Sequence, residues 1–151
     1  MEAKLVHEQS GQRTFVLVLK TGEEIMKSLI EFARTKCISA AQISAIGALS
    51  DVELKYFNWQ KKKYDSNALD EQVEVASLLG DIALSPEGGP SVHLHIVVGR
   101  RDGTAMAGHL GQAHVRPTLE LILTESPAHL RKAYDPESGL ALIRPNTVAA
   151  K

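Results

Sequence analysis

Cysteine is almost absent from this chain, since Cys37 is the single one among 151 residues. An intrachain disulfide is therefore excluded, and we expect Cys37 to be a small buried residue where a helix ends. Long apolar runs are also lacking, because no stretch approaches the roughly 20 residues that span a bilayer. The first residues contain no apolar segment typical of a secretory signal. We therefore expect a reduced, cytoplasmic protein with no membrane partner.

Excess charge and aromatic side chains are lacking too. The formal net charge is −1, and aromatic residues make up 5% of the chain. A nearly neutral protein is not strongly attracted to nucleic acid or acidic membranes, and so few rings make a base-stacking platform unexpected. The basic clusters Lys61–Lys63 and Arg100–Arg101 are interpreted as solvated turns. Direct DNA binding through these clusters is kept as an alternative.

Familiar catalytic and phosphate-binding motifs are missing as well. The sequence has no G-x-G-x-x-G or Walker motif, and it offers no arguable Ser-His-Asp or Cys-His arrangement. Whether the protein is an enzyme therefore stays open, and its catalytic residues are unknown at this level. A nicotinamide or nucleotide cofactor is not expected.

The chain has the length and pattern of one α+β domain. Thr21 and Glu24 have capping-box spacing, and apolar residues at helical spacing continue from there to about Lys36. This predicts one main helix after the first predicted strand. Short strands joined by turns predict a mostly antiparallel sheet, and the β-α-β opening would allow one parallel pairing. The predicted strands cover 14–20, 41–49, 52–57, 61–64, 72–84 with a break near Gly80, 91–99, 104–110, 118–125 and 140–143, and a short helical turn covers 127–133.

Three histidines carry the sharpest chemical signal. His93 and His95 lie in an apolar run, and alternate residues of a strand share one face. If a three-residue loop, Arg101–Gly103, joins this strand to the next, His109 lies directly opposite His95 and diagonal to His93. All three imidazoles then share one face. A two-residue loop would send His109 to the other face and abolish the site.

Three neutral imidazoles favour zinc, and three protein ligands leave one coordination position open. Metal-bound water would then be a nucleophile, so a small metal-dependent hydrolase or lyase is one hypothesis, with Glu74 as the first candidate base. The alternative is a set of half-exposed histidines without a metal. His114 follows closely enough to be a supporting group, whereas His7 and His129 are interpreted as surface residues.

Six segments taken in order resemble the PPC domain, which plants and prokaryotes share and which follows an AT-hook in plants. The resemblance runs from about Arg13 to Ile143. Each segment alone is unspecific, and the ordered set carries the resemblance. The segments are Arg13–Leu19 with Gly22-Glu23, Ala45–Leu49, Glu74–Ile82, His93–His95, Gly108–Leu110 and Thr118–Ile122.

The resemblance implies an α+β domain with a strongly bent antiparallel sheet that assembles as a homotrimer. It also implies that His93, His95 and His109 lie together, with Zn²⁺ as the metal that some prokaryotic relatives hold there. On this basis we predict an N-terminal segment over 1–12, a PPC-like domain over 13–144 and a C-terminal tail over 145–151.

The family's DNA-binding label does not extend simply to this chain. An AT-hook reads narrow A·T-rich minor grooves with an Arg-Gly-Arg-Pro core, and this sequence lacks that core. We therefore predict a stand-alone, trimeric, DNA-associated regulatory interaction module with protein partners and a three-histidine zinc site. The small metal-dependent enzyme is the alternative.

Overall fold

Within residues 1–145, which the computed structural model describes, the chain forms one α-helix and nine β-strands. Both the α+β class and the mostly antiparallel sheet are confirmed. Of the predicted C-terminal tail, residues 146–151 lie outside the described part. The elements are β1 (Glu2–Gln9), β2 (Gln12–Lys20), α1 (Ile25–Thr35), β3 (Ala40–Asn58), β4 (Lys63–Leu69), β5 (Val73–Leu84), β6 (Pro90–Gly99), β7 (Ala105–Glu125), β8 (Lys132–Tyr134) and β9 (Ala141–Ile143).

The longest strand, β7, organises the main sheet. The strand order is β1-β2-β7-β6-β5-β3-β4, and β7 also pairs with β3. The first part of β7 pairs with β6, whereas its last part lies between β2 and β3. Because β3, β5, β6 and β7 each pair with the next, their ladders close on themselves around a barrel-like core.

Two segments predicted as separate strands, 104–110 and 118–125, are one continuous strand. The β3–β7 ladder contains three register shifts, between Gly47 and Leu49, Leu49 and Asp51, and Val52 and Leu54. Bulges of this kind bend a strand without ending it, so β7 continues through Gly111 and Pro117, two residue types that are typical of turns.

The helix begins later than its predicted capping box. Glu24 is the N-cap, and its carboxylate accepts hydrogen bonds from the backbone N–H groups of Met26 (3.0 Å) and Lys27 (2.6 Å). Thr21 instead donates its hydroxyl to the carbonyl of Pro117. At the other end Cys37 is exposed with φ of 54°, so the expectation that it is buried was wrong. The chain reverses there, which turns the side chain towards solvent.

The parallel pairing allowed by the β-α-β opening does not form among the described strands. Strand β7 inserts between β2 and β3 and runs antiparallel to both. The two strands that flank α1 are therefore parallel to each other but are not neighbours. The apolar face of the helix is buried in the shared core at Ile25, Leu29, Phe32 and Ala33.

The C-terminal region also differs from its prediction. The segment 127–133 forms no helical turn. The chain bends at residues 127–128 and then runs beside the end of β5, where the N–H of Leu84 donates to the carbonyl of Leu130 (2.8 Å). Strand β9 pairs with β8 in a separate two-stranded sheet instead of extending the main sheet. At the N-terminus, β1 was not predicted because its residues are all exposed and show no apolar alternation. Within residues 1–145 the one helix, α1, has 11 residues, which is too short to span a bilayer.

The break predicted near Gly80 is absent, since β5 runs through it without interruption. A Cβ at this position would lie 2.0 Å from the carbonyl oxygen of His93. Gly80 therefore serves the close approach of β5 to β6, which is a common reason for glycine inside a strand.

We expect Gly80→Ala to lower the free energy of unfolding by about 2 kcal/mol or more, because β5 and β6 must separate to admit the methyl group. Chemical denaturation measures the change. Gly89→Ala is the matched control, since within residues 1–145 no atom beyond its two chain neighbours lies within 4 Å of the added Cβ. Equal stability of the two variants would contradict the close approach.

Candidate metal centre

The turn between β6 and β7 contains three residues, Arg101–Gly103. The N–H of Arg100 donates to the carbonyl of Thr104 (2.8 Å), and Gly103 adopts φ of 83°. Such a loop favours glycine at the left-handed position. In the resulting register His95 lies opposite His109. The first of the two loop alternatives is therefore confirmed.

The three imidazoles form a compact cluster on the outer face of this hairpin. Ring centroids are 5.1 Å apart for His93 and His95, 5.1 Å for His93 and His109, and 5.4 Å for His95 and His109. One nitrogen from each ring lies within 4.8 Å of the others. Zn–N bonds of roughly 2.0–2.1 Å place neighbouring nitrogens about 3.4 Å apart in a tetrahedron, so small side-chain rotations suffice to reach that spacing.

Strand alternation explains why the histidines point outward. Val92, Leu94 and Ile96 are buried on the opposite face of β6, and successive side chains of a strand alternate between faces. His95 is exposed, whereas His93 and His109 are half-buried. The cluster is therefore anchored by a core strand and remains open to solvent on one side.

The environment favours the neutral form of two of these imidazoles, His95 and His109. Burial, followed by the nearby His93 and His95, lowers the pKa of His109 to about 4. Burial and then His93 also lower the pKa of His95. Neutral imidazole is the form that ligates a metal. The Nδ1 atom of His109 is buried and has no hydrogen-bond partner within the described residues, and a metal ion would satisfy it.

Asp81 on β5 supports the cluster, although the sequence reasoning did not single it out. It lies opposite His93 in the β5–β6 ladder, with Oδ2 3.4 Å from His93 Nδ1. Burial opposes ionisation of Asp81, but His93 and the ammonium of Lys132 (3.7 Å) outweigh it and hold the pKa of the carboxyl below its usual value. A carboxylate on the second nitrogen of a ligating histidine fixes the ring's tautomer and orientation.

A cavity of about 360 Å³ adjoins the cluster. The ring of Tyr64, on β4, lies 4.9 Å from that of His109 and covers one side. The C-terminal sheet of β8 and β9 forms the opposite wall. The lining residues are Tyr64, Ser91, Val92, His93, His109, Lys132 and Leu140–Ile143.

Other residues considered from the sequence lie elsewhere. Glu74 is exposed and pairs with Gly99 at the far end of the β5–β6 ladder, so it cannot serve as a base at the histidines. The ring of His114 pairs with Asp51 (2.8 Å). His114 lines two other surface clefts, and Asp51 lines one of them. His7 is exposed, as expected.

The family model of the Plants and Prokaryotes Conserved (PCC) domain matches residues 6–127. The chain belongs to this family, which is the PPC domain that the sequence resembles. The match ends before β8 and β9. The segment that closes the cavity therefore lies outside the matched residues.

Solved structures agree with this assignment. A plant- and prokaryote-conserved protein of Pyrococcus horikoshii is 30% identical, with a TM-score of 0.83 over 90% of this chain and 94% of that one. A metal-containing protein of Archaeoglobus fulgidus is 31% identical, with a TM-score of 0.81 over 95% of this chain and 96% of that one. A protein of Bacteroides thetaiotaomicron, described as a "putative DNA binding protein", is 31% identical, with a TM-score of 0.82 over 91% of this chain and 94% of that one.

Two further similarities concern only part of a longer protein or the fold alone. The bifunctional protein GlmU of Synechococcus sp. (strain JA-3-3Ab) is 32% identical over 130 residues, which are 84% of this chain but 20% of that protein. The chain thus spans about a fifth of this curated relative. An acetolactate decarboxylase of Bacillus subtilis shares the fold alone, at 11% identity and a TM-score of 0.54 over 84% of this chain and 58% of that one.

Proposed function

We propose that this protein is a homotrimeric regulatory interaction module that binds one Zn²⁺ per chain through His93, His95 and His109. The observation that carries the metal site is the common face of the three imidazoles, with ligand nitrogens within 4.8 Å. The relative from Archaeoglobus fulgidus, described as metal-containing, supports it. When bound, zinc would join β6 to β7 and act as a Lewis acid at its open coordination position.

The surroundings support a set of three nitrogen donors. The buried Nδ1 of His109 lacks a partner among the described residues, and the carboxylate of Asp81 lies beside Nδ1 of His93, which leaves the other nitrogen for a metal. Three imidazoles suit zinc better than the hard cations calcium and magnesium, which prefer oxygen ligands.

An apolar patch on the outer sheet surface supports assembly. Ile46, Leu79 and Ile122 are 61%, 54% and 45% exposed. Leu79 and Ile122 lie on either side of Ser44 in adjacent ladders, and Leu79 also lies opposite His95. Contiguous exposed apolar side chains mark interaction surfaces in soluble proteins. We propose that this patch is the subunit interface of the trimer and that it borders the metal site.

Association with DNA is proposed to run through protein partners. Two of the five basic side chains in the two candidate clusters form ion pairs: Lys61 with Asp65 (3.4 Å) and Arg100 with Glu71 (2.7 Å). Their charge is thus partly compensated within the protein. The near-neutral net charge also limits counterion release, which drives non-specific DNA binding.

A second candidate function is a metal-dependent hydrolase or lyase. The cavity beside His93 and His109 favours it, because a ligand there would lie next to the open coordination position. Asp81 replaces Glu74 as the carboxylate nearest the histidines. These residues do not indicate which class of substrate such an enzyme would convert, so the interaction module remains the first proposal.

Purified without chelator, the wild-type protein should contain about one zinc per chain, and added zinc should stabilise it against heat. At a hundredfold excess over the dissociation constant the stabilisation is about 2.7 kcal/mol. His95→Ala should lose both effects because it removes one of three ligands. Elemental analysis and thermal unfolding measure them.

His7→Ala is the matched control, since His7 is an exposed histidine on β1. It should bind zinc like the wild type. A wild-type protein that neither contains zinc nor gains heat stability from it would contradict the metal site, as would equal zinc loss in both variants.

Leu79→Glu should convert the trimer to monomers, because three buried carboxylates would meet at an apolar interface. Light scattering at micromolar concentration should give three times 16.4 kDa for the wild type and 16.4 kDa for the variant. Tyr56→Glu is the control, since Tyr56 is 67% exposed on the β3–β4 hairpin, outside the patch. A monomeric wild type, or dissociation of the control as well, would refute the assignment.

A further inference from the structure

The cavity beside the histidines contains a buried cation that the proposed metal site does not use. Lys132 is 8% exposed although it carries an ammonium group. It begins β8 and lines the cavity. Lysine is rarely buried so completely unless it is paired, so its position needs a charged or strongly polar partner.

The partners within the protein satisfy this ammonium only weakly. Its Nζ lies 3.3 Å from the hydroxyl of Ser91 and 3.7 Å from Oδ1 of Asp81. Both distances exceed the roughly 2.7–2.9 Å of a charge-assisted hydrogen bond. An ammonium has three donors, so Lys132 retains capacity for a closer acceptor.

The rest of the cavity favours an anion with an apolar body. Among the described residues that line it, Lys132 is the one lysine or arginine and none is acidic, because Asp81 contacts Lys132 without lining the cavity. Val92 and the residues Leu140–Ile143 form an apolar wall, and the volume of about 360 Å³ is at the lower end of the range for small-molecule sites. One compact point charge matches one carboxylate, whereas phosphate groups are more often held by several donors or by the arginine fork.

We infer that this cavity binds a short aliphatic monocarboxylate. Its carboxylate contacts Nζ of Lys132, and its hydrocarbon chain lies against β9. The inference builds on the proposed function, because the ligand would lie beside the metal site. Lys132 and β9 lie beyond the residues matched by the family model.

Hexanoate is the probe for this site, and binding is followed by calorimetry and protein NMR with zinc-loaded and zinc-free protein. Hexanoate should bind about tenfold or more tightly than acetate, since each buried methylene contributes up to about fourfold. Hexanamide, which has the same chain without the charge, should bind about tenfold more weakly than hexanoate.

Lys132→Met should weaken hexanoate binding about tenfold or more while zinc content stays at the wild-type level. Ala141→Phe should weaken it as well, because the ring fills the cavity without removing a charge. Lys4→Met, at an exposed lysine of β1, is the matched control and should bind hexanoate like the wild type. If Lys132→Met fails to fold, Ala141→Phe and the amide comparison decide.

Hexanoate affinity that is unchanged in Lys132→Met or Ala141→Phe, or equal to that of hexanamide, would overturn the inference. A wild-type protein that does not bind zinc is a separate result, which overturns only the proposed metal site. The zinc-free titration then still decides whether Lys132 binds a carboxylate.

Discussion

The hydrogen bond from the N–H of Arg100 to the carbonyl of Thr104 closes a three-residue turn, and this turn fixes the register of β6 against β7. Gly103 makes the turn possible because its positive φ is strained for other residues. With one residue fewer in the loop, every side chain of one strand would change face. His109 would then point away from His93 and His95, and the cluster would not exist.

The neighbouring strand adapts to this register. Gly80 lets β5 approach the backbone of His93 closely, and the next residue, Asp81, then lies against the ring of His93. Lys132 approaches the same carboxylate from the C-terminal sheet. The turn and Gly80 thus set the backbone spacing that brings the histidines together, and Asp81 lies beside the ring of His93.

The sequence predicted those features that depend on local patterns. Strand alternation placed His93 and His95 on one face, and the arithmetic of the loop gave the partner of His95 correctly. The long strands β3 and β7 were predicted as fragments, because bulges preserve the strand while breaking its apolar period. Asp81 and Lys132 were missed because their roles arise from pairing between distant segments, which a single sequence does not reveal.

Glu74 illustrates the same limit in the opposite direction. It lies on the same strand as Asp81, yet the β5–β6 ladder places it beside Gly99 instead of the histidines. An acid in an apolar strand is therefore a weak indicator until the register is known. The family resemblance supplied what the local patterns lacked, namely that these ordered segments belong to one antiparallel sheet.

The proposed metal site and the proposed ligand cavity are formed by different parts of the chain. The matched domain, residues 6–127, supplies the histidine cluster and the apolar patch proposed for assembly. The C-terminal sheet beyond it supplies the wall of the cavity and the buried ammonium. The central claim is that His93, His95 and His109 together ligate zinc.

X-ray absorption spectroscopy of the zinc-loaded protein tests this claim most directly, because it reports the atoms bound to the metal. The account predicts three imidazole nitrogens at roughly 2.0–2.1 Å, with their multiple-scattering signature, and one further light-atom ligand. A sulfur scatterer at about 2.3 Å, which only Cys37 or a methionine could supply, or a shell with fewer than three imidazoles, would contradict it.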